Sequence, residues 1–157
     1  MEVGRPAASG AGGVAVIELP AAAVELIEGG AHAHLATIGP TGAPQVTMVW
    51  STVEDGEICV ASLTPRAKLA NIRRDPRVVL SYESAVRDDG QGLHFYLTVS
   101  GRARVTEGGA PELLRRIAPR YVGAGTKFPR GDSPPAGWVI RVEPERVRGY
   151  GPWAGIA

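Results

Sequence analysis

Two hydroxyls and two cations alternate with other residues at Ser62, Thr64, Arg66 and Lys68, within the run Ser62-Leu63-Thr64-Pro65-Arg66-Ala67-Lys68-Leu69-Ala70-Asn71. This spacing suits an anion. Thr64 is a good N-cap residue and Pro65 fits a first helical position, so a helix is expected to start here. Its first turn would present unpaired backbone N–H groups and the positive end of the helix dipole beside those hydroxyls and cations. A phosphate at the junction would be held from several sides. The same residues also suit an ordinary capped helix whose Arg and Lys form a solvated face, and local pattern alone leaves both readings open.

Other chemistry is sparse. There is no Gly-x-Ser-x-Gly elbow and no Gly-rich phosphate loop of the Rossmann or Walker kind. His32 and His34 share one strand face, but no Cys, Asp or Glu cluster completes a ligand set, so no metal site is expected. The single cysteine, Cys59, lies in an apolar run and reads as a small buried hydrophobe. No residue stands out as a catalytic acid, base or nucleophile.

The elements that must position the junction are mostly strands. Period-two patterning marks strands over residues 32–38, 45–53 and 57–62, joined by turns at Pro40-Thr41-Gly42 and Asp55-Gly56; this predicts a three-stranded meander before the junction helix. That helix is expected to run from Pro65 to Arg74 and to stop at Asp75-Pro76. A strand over 77–83, a polar loop over 85–92 and a long alternating strand over 93–106 follow, with Gly101 as its bend. Residues 111–121 read as a helix and 123–136 as a long loop, which in so small a domain is often functional. A last strand, 138–150, contains Pro144, which suits an edge or a bulge. A short helix over 20–28 precedes the strands, and the Gly- and Ala-rich residues 1–13 read as a disordered tail, leaving one domain over 14–157. The fold class expected is mainly β: a six-stranded antiparallel split β-barrel with short flanking helices.

The chain has 157 residues, enough for a core without disulfides, and 17 basic against 16 acidic residues give a net charge of +1. That balance supplies no field for nucleic acid or an anionic membrane. No apolar stretch nears the roughly 20 residues of a membrane span, and the first residues lack a signal peptide's pattern. A cytoplasmic protein with a small-molecule partner is expected.

The order of elements, the segment Thr64-Pro65-Arg66-Ala67-Lys68-Leu69-Ala70-Asn71 and the ending Val147-Arg148-Gly149-Tyr150-Gly151-Pro152-Trp153 resemble the split β-barrel flavin and deazaflavin oxidoreductases, the pyridoxamine 5′-phosphate oxidase-like proteins. Within these they look like the small members that use coenzyme F420. The resemblance implies a homodimer with two cofactor grooves at its interface. It implies that Ser62, Thr64, Arg66 and Lys68 hold the cofactor phosphate, that Asn71 braces the loop, and that the strand through Val49 and Trp50 offers backbone groups to the deazaflavin ring. The other chain is expected to contribute from the loop after Tyr121 and the C-terminal aromatic segment; Lys127 is the candidate for the anionic tail, with a solvated loop charge as the other reading. Trp138 or Trp153 would form a wall of the groove, with plain packing as the other reading of each; a partner subunit is expected to cover Trp153. The absence of an acid–base set is compatible with hydride transfer, in which the cofactor carries the hard chemistry. An F420-dependent reductase acting on an electron-poor conjugated molecule is the first reading. An FMN-dependent oxidoreductase on the same barrel and a non-catalytic cofactor- or tetrapyrrole-binding protein are the alternatives.

Overall fold

The structure is a computed structural model and describes residues 14–153; the tail expected over 1–13 lies outside them. Three helices and seven strands follow in the order α1 (Ala21–Glu28), β1 (Ala33–Ile38), β2 (Pro44–Val49), β3 (Thr52–Glu54), β4 (Glu57–Ser62), α2 (Ala67–Arg74), β5 (Arg77–Arg87), β6 (His94–Glu107), α3 (Ala110–Val122) and β7 (Trp138–Tyr150). All strands belong to one antiparallel sheet of order β2-β1-β5-β6-β7-β4-β3. The two edge strands, β2 and β3, are joined by Trp50 and Ser51 alone. The sheet must therefore curl until its edges meet, which makes it a barrel split between β2 and β3.

The seventh strand arises because the single strand expected over 45–53 is two, and the expected meander is two separate hairpins. β1 pairs with β2 and β3 pairs with β4, but β2 and β3 do not pair. Ser51 breaks the strand because its backbone finds partners elsewhere. Its N–H donates to the Tyr121 hydroxyl at 3.0 Å, and that hydroxyl donates to the Ser51 carbonyl at 3.0 Å. The Ser51 and Tyr82 hydroxyls bond at 2.9 Å. A buried backbone group must be paired, and here a tyrosine of α3 replaces a sheet neighbour.

Alternation inside the barrel gives the core: Leu35, Leu80, Tyr82, Leu97, Val99, Ile140 and Val142 are all fully buried. Asp55 and Gly56 both take positive φ, 51° and 78°, as the tight β3–β4 turn requires. Gly101 sits at a bulge opposite Pro144, where a Cβ would strike the Glu143 carbonyl. β5 runs to Arg87, so part of the expected 85–92 loop is strand; the turn that remains is folded by the Asp88 carboxylate, which accepts from the N–H groups of Gly90, Gln91 and Gly92. Among the described residues no helix is long and apolar enough to cross a membrane.

α1 closes one end of the barrel through Ala23 and Ile27. Glu28 at its last turn accepts from the Thr52 hydroxyl at 2.6 Å and the Val53 N–H at 2.7 Å, and pairs with Arg120 at 2.7 Å. One carboxylate thus ties α1, β3 and α3 together. Burial works to raise its pKa, but those hydrogen bonds and the guanidinium outweigh it and hold Glu28 below the usual carboxylate value.

Candidate functional site

The expected strand-to-helix junction forms between β4 and α2, with one correction. The helix begins at Ala67, Arg66 holds the N-cap position in an extended conformation, and no side chain caps the first turn. Thr64 is therefore not the cap; it is exposed and lies two residues too early. The reason is local: the Ser62 hydroxyl donates to the Thr64 carbonyl at 2.9 Å and turns the chain before the helix starts. Gly137 completes this turn. At φ +60° it lies so close that a Cβ would stand 2.5 Å from the Ser62 carbonyl. The uncapped N–H groups of α2 are left open to an external acceptor.

Lys68 is buried, 8% exposed, on the second residue of α2. Among the described residues no carboxylate pairs with it; burial, and then the neighbouring Arg66 guanidinium, push its pKa below the ordinary lysine value. Its stem is buried while its nitrogen reaches solvent, and a partly desolvated cation without an anionic partner suits an anion. Arg66 is exposed beside it. Asn71, one turn on, is fully engaged: its amide donates to the Thr37 hydroxyl at 2.9 Å and to Gln45 at 2.7 Å, and its carbonyl accepts from Arg74 at 2.9 Å. It braces α2 against the β1–β2 hairpin.

The remaining expected residues divide. Val49 is buried in the core, so only its backbone faces the split. Trp50 is half-buried and stacks on Tyr121 of its own chain, ring centroids 4.8 Å apart and planes 5° from parallel, with Phe128 tilted against it at 5.1 Å. Lys127 is exposed next to Phe128, so the 123–137 loop is anchored at the β2–β3 crossing. Trp153 corrects the expectation of a partner's cover. It is 3% exposed within its own chain, and its indole N–H donates to the Tyr96 carbonyl at 2.8 Å. Gly149 and Gly151 make the slot, since a Cβ on either would come within 3.0 Å of the indole. Trp138 packs half-buried against the core.

A second region lies apart from the junction. A cavity of about 960 Å³ opens between α1, the start of β1, the far ends of β5 and β6, and Trp153. His32, His34 and His94 all line it. The His94 Nδ1 lies 2.9 Å from the Ser84 carbonyl. Among the described residues no group of three or more His, Cys, Asp or Glu is placed to hold a metal ion. The histidine pair at 32 and 34 was the one sequence signal for this cavity; α1, His94 and Trp153 reach it only through the fold.

An antiparallel barrel split between its edge strands, with a cationic strand-to-helix junction at the opening, defines a flavin- or deazaflavin-type oxidoreductase fold. The family model described as pyridoxamine 5′-phosphate oxidase matches residues 19–151, and the chain belongs to that family. No curated protein gives a significant match. A solved structure described as an F420 reductase is similar at 26% identity and a TM-score of 0.63, covering 83% of this chain and 98% of that one. A conserved hypothetical protein of Mycobacterium tuberculosis is similar at 28% identity and a TM-score of 0.63, over 86% of each chain. A haem-binding protein of Mycobacterium smegmatis, at 20% identity and a TM-score of 0.58, covers 86% of this chain and 56% of its own, and shares the fold alone.

Proposed function

We propose that the protein is a reductase dependent on coenzyme F420, passing a hydride to an electron-poor conjugated small molecule. The observation that carries this reading is Lys68, a largely buried lysine without a carboxylate partner beside an uncapped helix start. The likeness to an F420 reductase supports it.

The residues present fit an anionic deazaflavin cofactor. Lys68 would pair with its phosphate, and the first N–H groups of α2, Arg66 and the Thr64 hydroxyl would complete the cradle. Ser62 shapes the turn, because its proton is committed to the Thr64 carbonyl. Asn71 holds the cradle at a fixed distance from β2, whose outer edge leaves the backbone of Val49 and Trp50 free for the polar rim of a ring. The Trp50–Tyr121–Phe128 stack keeps water from the crossing. Lys127, exposed on the loop beside Phe128, is the candidate for the cofactor's acidic tail. The bound cofactor would supply the hydride, and the chain's own work is to bind, orient and exclude water.

We infer a homodimer as well. Val46 on the edge strand β2 is 60% exposed, and a second copy would cover it. FMN is the second reading, favoured by the family match. Titration of the purified protein with F420 and with FMN, read by tryptophan and cofactor fluorescence, separates the two. Micromolar or tighter F420 binding with FMN much weaker is expected; the reverse would reassign the barrel to flavin chemistry.

A further inference from the structure

The cavity at the α1 end plays no part in the anion junction, yet it collects unusual chemistry. The sequence has three histidines, and all of them line it. Glu25 and Glu83 are the charged residues of its wall, and among the described residues neither Lys nor Arg lines it. Leu26, Met48 and Phe95 supply apolar surface.

The state of one imidazole follows from its partner. A carbonyl cannot donate, so the contact with Ser84 fixes the proton of His94 on Nδ1 and leaves Nε2 for a ligand. The wall behind it is rigid and aromatic, with Phe95 and Tyr150 edge to face at 5.5 Å. Two carboxylates, with neither Lys nor Arg among the described lining residues, disfavour an anionic ligand. Its volume of about 960 Å³ lies at the upper end of small-molecule sites and admits a fused-ring ligand.

The cavity and the junction use opposite faces of the β1–β2 hairpin. His34 and Met48 pair across it on the cavity side, whereas Gln45, three residues back along β2, points to the other face and accepts from Asn71 of α2.

We propose that this cavity is a second ligand site, for a planar, largely apolar molecule that is uncharged or cationic and is hydrogen-bonded by an imidazole. Calorimetric titration of the cofactor-free full chain with 2-naphthamide, 2-naphthylmethylamine and 2-naphthoate tests it, because the ring is constant and only the charge changes. The amide and the amine should saturate one site, with the carboxylate at least about tenfold weaker. Ala85→Trp, at an exposed lining position, should abolish amide binding and leave F420 affinity as in the parent. Naphthoate binding as tightly as the amide, no binding by any of the three, or unchanged amide binding in A85W would overturn the proposal.

Discussion

The two ends of the β1–β2 hairpin are built on opposite principles. At the α2 end the stem of one lysine is buried and its charge has no carboxylate partner, and the surrounding groups are braced: Asn71 is saturated, and Ser62 and Gly137 lock the turn. At the α1 end the polar groups are imidazoles and carboxylates, neither Lys nor Arg lines the wall among the described residues, and the space is open and apolar. The first region holds a fixed charge and demands its complement. The second offers shape and neutral hydrogen bonds. A barrel that tethers a large anionic cofactor at one end and admits varied molecules at the other needs this division, since affinity for the shared ligand and tolerance for the other come from different physics.

The contrast can be broken first at Lys68. Lys68→Met should weaken F420 binding by about 1.5–3 kcal/mol, the worth of a hydrogen bond to a charged group, while leaving naphthamide binding at the far cavity unchanged. The same change should stabilise the ligand-free protein by about 1 kcal/mol, because it removes a partly desolvated, unpaired charge. The sign is checkable with pH. The folded pKa of Lys68 lies below its ordinary value of 10.5, so the unfolded chain binds more protons between the two. Parent stability should therefore rise across that window, and the K68M variant should lack the rise; thermal melts over pH would show both.

Gly137→Ala attacks the same end through the backbone. A Cβ at φ +60° and 2.5 Å from the Ser62 carbonyl should cost about 1–3 kcal/mol of stability and lower F420 affinity by displacing the turn. Denaturant unfolding beside the titration checks it. Glu28→Gln addresses the clamp that fixes α1 and so the cavity wall. It should cost about 1 kcal/mol at neutral pH. The folded pKa of Glu28 lies below 4.5, so the parent's advantage is present above that pH and is lost as pH falls through the lower folded value. Thr64→Ala should be the smallest effect: at an exposed residue that caps nothing, stability should hold within about 0.5 kcal/mol, where an N-cap would have cost about 1.

What the sequence revealed follows the range of the interactions involved. The Asp55-Gly56 turn, the α2 stop at Asp75-Pro76 and the alternation of β6 are set by neighbours in the chain, and each was legible. The junction was legible as a contiguous motif, though its cap was misplaced because the Ser62 hydroxyl competes for the same turn. The split between β2 and β3 was not, because it depends on Tyr121 meeting Ser51 from 70 residues away. Trp153 was read as needing a partner, since nothing local says that Gly149 and Gly151 open a slot beneath it. The cavity has contributors from five parts of the chain and was visible only as a pair of histidines.

The most direct test compares F420 with the same deazaflavin stripped of its phosphate and glutamates, in the parent and in K68M. If Lys68 holds the cofactor's anion, the parent should prefer F420 by roughly ten- to hundredfold, matching about 1.5–3 kcal/mol, and K68M should lose most of that preference while binding the stripped ring as before. Equal affinity of the parent for the two ligands would contradict the account, and would return the β4–α2 junction to an ordinary helix start.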